Sequence, residues 1–116
     1  MLGRGTPTLL MDYPADQCAL AQVRPGDPPV AERFELYVEG VELANGFHEL
    51  IDPVEQRRRI DDENRARVAA GEAPLPVDHE FIDALAQMPP SAGVAVGLDR
   101  VVMLLLGASS IDEVIA

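Results

Sequence analysis

The sequence predicts an α+β fold, an antiparallel β-sheet flanked by helices, on three observations. Phe34, Leu36 and Val38 alternate with Glu35 and Tyr37, the period of a half-buried strand. Glu39-Gly40 then interrupts the run as a tight hairpin turn does, and Val41 to Asn45 reads as the returning strand. Beyond these strands, Asp52 to Gly71 carries helix signals at both ends.

The remaining elements follow in order. Thr8 to Tyr13 is a short apolar strand closed by Pro14, and Asp16 to Val23 reads as a short helix capped by Asp16. Pro25-Gly26-Asp27-Pro28-Pro29 is a loop, because its prolines lack backbone donors. In the long helix Asp52 caps, Pro53 fits the first helical position, Glu55 completes a capping box, and Gly71 with Pro74 stops it. Glu55–Arg59, Asp61–Arg65 and Glu63–Arg67 are acid-before-base pairs, each expected to add about 0.2–0.5 kcal/mol on a largely water-facing helix. Asp78 opens a second helix with Phe81, Ile82, Leu85 and Met88 along one side, ended by Pro89-Pro90. Ser91 to Gly97 reads as a strand and Leu98 to Leu106 as a buried helix stopped at Gly107. Ser110 and Glu113 form a capping box for a last short helix.

Length and charge narrow the function. A chain of 116 residues suits one domain. Its net charge is −11, and all nine basic residues are arginines. Such a chain repels phosphate backbones and anionic membranes, so it is a poor non-specific nucleic-acid binder. Cys18 is the one cysteine, which excludes an internal disulfide and a cysteine-rich zinc site. The apolar run Val101 to Leu106 is too short for a membrane span, so a soluble, cytoplasmic protein is expected.

Two segments concentrate groups able to do chemistry. Gly40 to Leu50 places Glu42, Asn45, His48 and Glu49 close together: carboxylates for a cation or an ammonium, and an amide for a carboxylate. In an unbroken strand Glu42 and Asn45 face opposite sides, so a common site needs a bulge, which Gly46 could supply. Read alone, the stretch favours a hairpin with a solvated rim over a site. Gly93 to Arg100 runs through Gly97 into a helix whose first turn holds Asp99 and Arg100. Small residues admit a flat ligand, and the helix start with Arg100 favours polyphosphate. The local alternative is a tight turn with Asp99 as cap and Arg100 paired to a carboxylate. The Arg57-Arg58-Arg59 cluster sits among acids and reads as a solvated face, His79 as a surface residue.

Taken together, Glu35-Leu-Tyr-Val-Glu-Gly-Val-Glu-Leu-Ala-Asn-Gly-Phe-His-Glu-Leu50 and Gly93-Val-Ala-Val-Gly-Leu-Asp-Arg-Val-Val-Met-Leu-Leu-Leu106 resemble the C-terminal part of a lysine-type class II aminoacyl-tRNA synthetase core, the second segment resembling its motif 3. Pro7-Thr8 to Gln22 and the helix after Asp52 fit as well. Phe47-His48-Glu49-Leu50 and Leu20-Ala21-Gln22 are similar to the elongation factor P β-lysine ligases, synthetase paralogs that modify a protein lysine. The resemblance implies one truncated class II catalytic domain over 1–116, without motifs 1 and 2. It implies activation of lysine or β-lysine with ATP and Mg2+, through an aminoacyl-adenylate passed to elongation factor P. Glu42, Leu43, Gly97 and Arg100 would bind ATP, with Arg100 the catalytic group stabilising phosphate charge. Asn45 and Glu49 would bind the amino acid, and Glu42 and Glu49 a magnesium ion. The alternatives are a lysyl-tRNA synthetase fragment with tRNA as acceptor, and a non-catalytic nucleotide- or protein-binding remnant. Unpaired edges of a partial sheet imply a homo-oligomer.

Overall fold

The computed structural model of the chain describes residues 1–115. In chain order the elements are β1 (Thr8–Pro14), β2 (Val23–Arg24), β3 (Val30–Val38), β4 (Val41–His48), α1 (Pro53–Ala69), α2 (His79–Leu85), β5 (Ala92–Val96) and α3 (Leu98–Leu106). They form two compact units, one of residues 1–48 and 92–115, the other of residues 49–91.

The first unit is the expected antiparallel sheet. Its order is β1-β3-β4-β5, with β2 also pairing β3. The Glu39-Gly40 turn is tight, both residues taking positive φ, and the Leu2 and Gly3 carbonyls accept the Gly40 and Glu39 N–H groups. Directly opposed residues in a ladder share a face. Leu9, Met11, Phe34, Leu36, Ala44, Gly46, Val94 and Val96 therefore line one side, by the registers of β1, β3, β4 and β5. Arg33, Glu35, Tyr37, Asn45, Phe47, Gly93 and Ala95 line the other.

Two expectations in this unit fail. Asp16 to Val23 is not a helix. Only Ala15–Gln17 makes a 3-10 turn, preceded by Pro14 with no side-chain cap. Val23 and Arg24 pair instead with Ala31 and Val30, so a β-ladder overrides the local helix signal. The helix over Leu98–Leu106 forms and stops at Gly107 in the left-handed conformation, but none of its residues is buried. Leu105 is 80% exposed. An apolar helix face states what the helix can bury, not what lies against it. The closing turn Ile111–Glu113 carries the predicted Ser110–Glu113 capping box.

The second unit holds α1 and α2. Asp52 caps α1, accepting from the Val54 and Glu55 N–H groups, with Pro53 at the first position. Gly71 follows with φ +81°, conformation glycine adopts at no steric cost. The predicted capping box is not made. The Glu55 carboxylate turns to Arg58 and Arg59 instead, and Arg58 ahead of Arg59 hold it at a pKa of about 2. Of the three expected pairs only Glu55–Arg59 forms. Asp61 pairs with Arg57, Arg65 with Asp62, and Arg67 with Glu72. Each basic residue in this run meets acids at several spacings, and the geometry selects among them. These pairs also absorb the Arg57-Arg58-Arg59 cluster. Asp78 caps α2 through the Phe81 N–H. This helix ends at Leu85, ahead of Pro89-Pro90, and Leu85 is its buried residue.

No helix among the described residues is long and apolar enough to cross a membrane.

Candidate active site

The site is built on the polar face of β3, β4 and β5. Leu36 pairs with Ala44 and Tyr37 with Glu42, so Leu43 is one extra residue in β4. This bulge shifts the side-chain alternation by one position. Glu42 opposite Tyr37 and Asn45 opposite Glu35 thereby share a face. The need for a bulge was legible in the sequence; its place was not. Gly46 sits in regular pairing, opposite Phe34 and Val94.

The bulge is tied to the start of α3. The Gly97 N–H donates to the Leu43 carbonyl at 2.9 Å, and Arg100 Nη1 donates to the Glu42 carbonyl at 2.7 Å. Gly97, not Asp99, is the N-cap residue, and no side chain caps α3. A β-carbon at Gly97 would lie 3.2 Å from the Arg100 Cδ, so the bare glycine lets the arginine stem fold back. Arg100 makes no salt bridge among the described residues, so the alternative of a carboxylate pairing is not realised. Most of its guanidinium donors stay available, beside free N–H groups of a helix start.

Asn45 is held from the β3 side. Arg33 Nη2 donates to Asn45 Oδ1 at 3.3 Å and pairs closely with Glu35. Tyr37 donates its hydroxyl to Glu35 at 2.6 Å. Burial pushes the Glu35 carboxyl up, but the Tyr13 and Tyr37 hydroxyls and the Arg33 guanidinium outweigh it and hold it low. The hydrogen bond to Glu35 raises Tyr37, and burial foremost raises Tyr13. The Tyr13 hydroxyl itself closes no well-formed hydrogen bond. On the β5 side Asn45 faces Ala95, with Gly93 opposite Phe47, a floor of small residues. Arg33 and Tyr13 were missed from sequence. The alternation that put Glu35 and Tyr37 on this face also assigns Arg33 to it.

His48 is not part of this cluster. It follows Gly46 by two on the apolar side, where Nδ1 lies 2.5 Å from Glu32 Oε2 and Nε2 3.3 Å from Gln22 Nε2. The His48 bond is the main influence holding the Glu32 carboxyl low. Glu49 is the first residue of the second unit, and its N–H donates to the Ser91 carbonyl. His79 is exposed.

The family model for class II tRNA synthetases (D, K and N) matches residues 3–116. The chain belongs to this family. Among curated relatives, the elongation factor P–(R)-β-lysine ligase of Vibrio atlanticus is 51% identical over 99% of the chain. The proteins of the same name from Klebsiella pneumoniae and Salmonella dublin are 54% and 51% identical over the same share. The chain spans 36% of the length of each of these relatives. Within the class II family the antiparallel sheet is expected, and the bulge, the Gly97 turn and Arg100 all lie inside the matched region.

Proposed function

We propose that this chain carries part of the adenylate-forming site of a ligase that activates lysine or (R)-β-lysine with ATP and passes it to a lysine of elongation factor P. The observation that carries the reading is the bulge at Leu43, which aligns Glu42 with Asn45 and offers the Glu42 carbonyl to Arg100. The family membership and the names of the relatives support it.

The chemistry asks for charge control rather than covalent catalysis. One carboxylate oxygen of the amino acid attacks the α-phosphorus of ATP, the bond to the β-phosphate bridge breaks, and pyrophosphate leaves. A lysine amine of the acceptor then attacks the carbonyl carbon, AMP departs, and the amine loses a proton. Asn45 holds the amino acid carboxylate through its amide, and Glu49 takes a substrate ammonium. Gly97 and Leu43 give the nucleotide a close backbone approach. Arg100 meets phosphate charge.

Among the described residues no group of three His, Cys, Asp or Glu side chains could hold a metal ion. Magnesium delivered on nucleotide phosphates needs only one or two protein carboxylates. Glu42 suits this role, since its carboxylate closes no hydrogen bond or ion pair among the described residues; Glu49 is the second candidate. When bound, the ion neutralises phosphate charge. The relatives' names favour elongation factor P over tRNA as the acceptor. The same reading sets the protein in the cytoplasm, and the sheet edges at β1 and β5 fit self-association.

ATP–pyrophosphate exchange tests the proposal with α-lysine and (R)-β-lysine in parallel. Exchange that requires one of them names the substrate. A folded sample that binds nucleotide without exchange makes the chain a binding module instead.

A further inference from the structure

We infer that Arg33 is a positioning residue that fixes which end of the Asn45 amide faces the substrate, and so selects a carboxylate over a neutral carboxamide. The inference rests on the proposed role of Asn45 and adds the residue that orients it.

Arginine is only a donor, whereas an asparagine amide has an acceptor end and a donor end. The group Arg33 touches must therefore be the oxygen, and Nη2 lies 3.3 Å from Oδ1. The Nδ2 donors are left directed away from Arg33 and close no hydrogen bond among the described residues. An N–H donor placed there can serve a carboxylate oxygen. A rotated amide would present an acceptor there and repel it.

The orientation holds only if Arg33 cannot move, and it is restrained on each side. Its side chain is 12% exposed and its partner Glu35 13%. The guanidinium carbon sits 4.3 Å from the Tyr13 ring centre and 5.5 Å from that of Phe47. Nη1 donates to the Gln17 carbonyl at 3.3 Å. Tyr37 in turn fixes Glu35. Stacked, paired arginine is among the stiffer anchors available to a protein.

The test compares L-lysine with L-lysinamide by calorimetry, in the unaltered chain and in Arg33→Met, Arg33→Lys and Asn45→Ala. We expect Arg33→Met to weaken lysine tenfold or more while lysinamide stays within about twofold, with Arg33→Lys restoring part of the preference. If Asn45→Ala weakens lysine but Arg33→Met leaves the lysine-to-lysinamide ratio unchanged, the orienting role is overturned and the Asn45 assignment survives. If Asn45→Ala leaves lysine affinity unchanged, the Asn45 assignment itself falls. NMR on the unaltered chain decides the geometry even if Arg33→Met fails to fold. A strong nuclear Overhauser contact between the Asn45 Nδ2 protons and the Arg33 guanidinium protons would overturn the proposal; contacts running only away from Arg33 support it.

Discussion

Replacing Gly46 by alanine is expected to lower the unfolding free energy by about 1–3 kcal/mol, the cost of overpacking a filled site. Gly46 is buried in β4, between β3 and β5. A β-carbon there would lie 2.3 Å from Cε1 and 2.5 Å from Cζ of Phe34, and 3.1 Å from the Gly93 carbonyl oxygen. The Phe34 ring covers the bare backbone of its cross-strand partner, a known way to offset the weakness of glycine in a strand. Either the ring swings outward and loses its contacts, or β4 and β5 separate. The penalty should shrink markedly in a Phe34→Leu background, because the clash needs the ring. Denaturant titration of the single and double variants measures this. Strictly additive losses would mean that Phe34 is not what makes the position intolerant. Gly46 faces away from Asn45, so amino acid affinity in the folded variant should be unchanged.

Arg100→Ala is expected to weaken Mg·ATP binding by roughly tenfold or more while the chain remains folded. A hydrogen bond to a charged group contributes about 1.5–3 kcal/mol, and each 1.4 kcal/mol is a factor of ten. The variant loses two things: a cation at the start of α3 and the brace on the Glu42 carbonyl. Arg100→Lys separates them. An ammonium keeps the charge but lacks the planar fork that lets one guanidinium hold a carbonyl and a phosphate at once. Its affinity should fall between the other two. Calorimetry that finds equal affinity in all three proteins would remove Arg100 from the nucleotide site.

How much of this was legible in the sequence depended on the range of the signal. The ends of α1 were readable because Asp52, Pro53 and Gly71 act on adjacent backbone groups. The β3–β4 hairpin was readable because alternation and Glu39-Gly40 are both local. Glu42, Asn45, Gly97 and Arg100 stood out as chemistry-bearing residues within β4 and at the start of α3. The position of the bulge was not legible. It is fixed by two registers at once, Tyr37 against Glu42 and Leu36 against Ala44, and no single segment encodes both. The stretch from Asp16 failed for the same reason: Val23 and Arg24 are claimed by β3, far along the chain. Arg33 was hidden because its partners Tyr13, Gln17, Glu35 and Asn45 come from separate segments.

Titration with a non-hydrolysable lysyl-adenylate analogue tests the central claim most directly, since one molecule spans the amino acid and nucleotide positions. The account predicts one site per chain, weakened tenfold or more by Asn45→Ala and again by Arg100→Ala, with both variants folded. Binding that ignores both substitutions, or no binding to the folded chain, would contradict it.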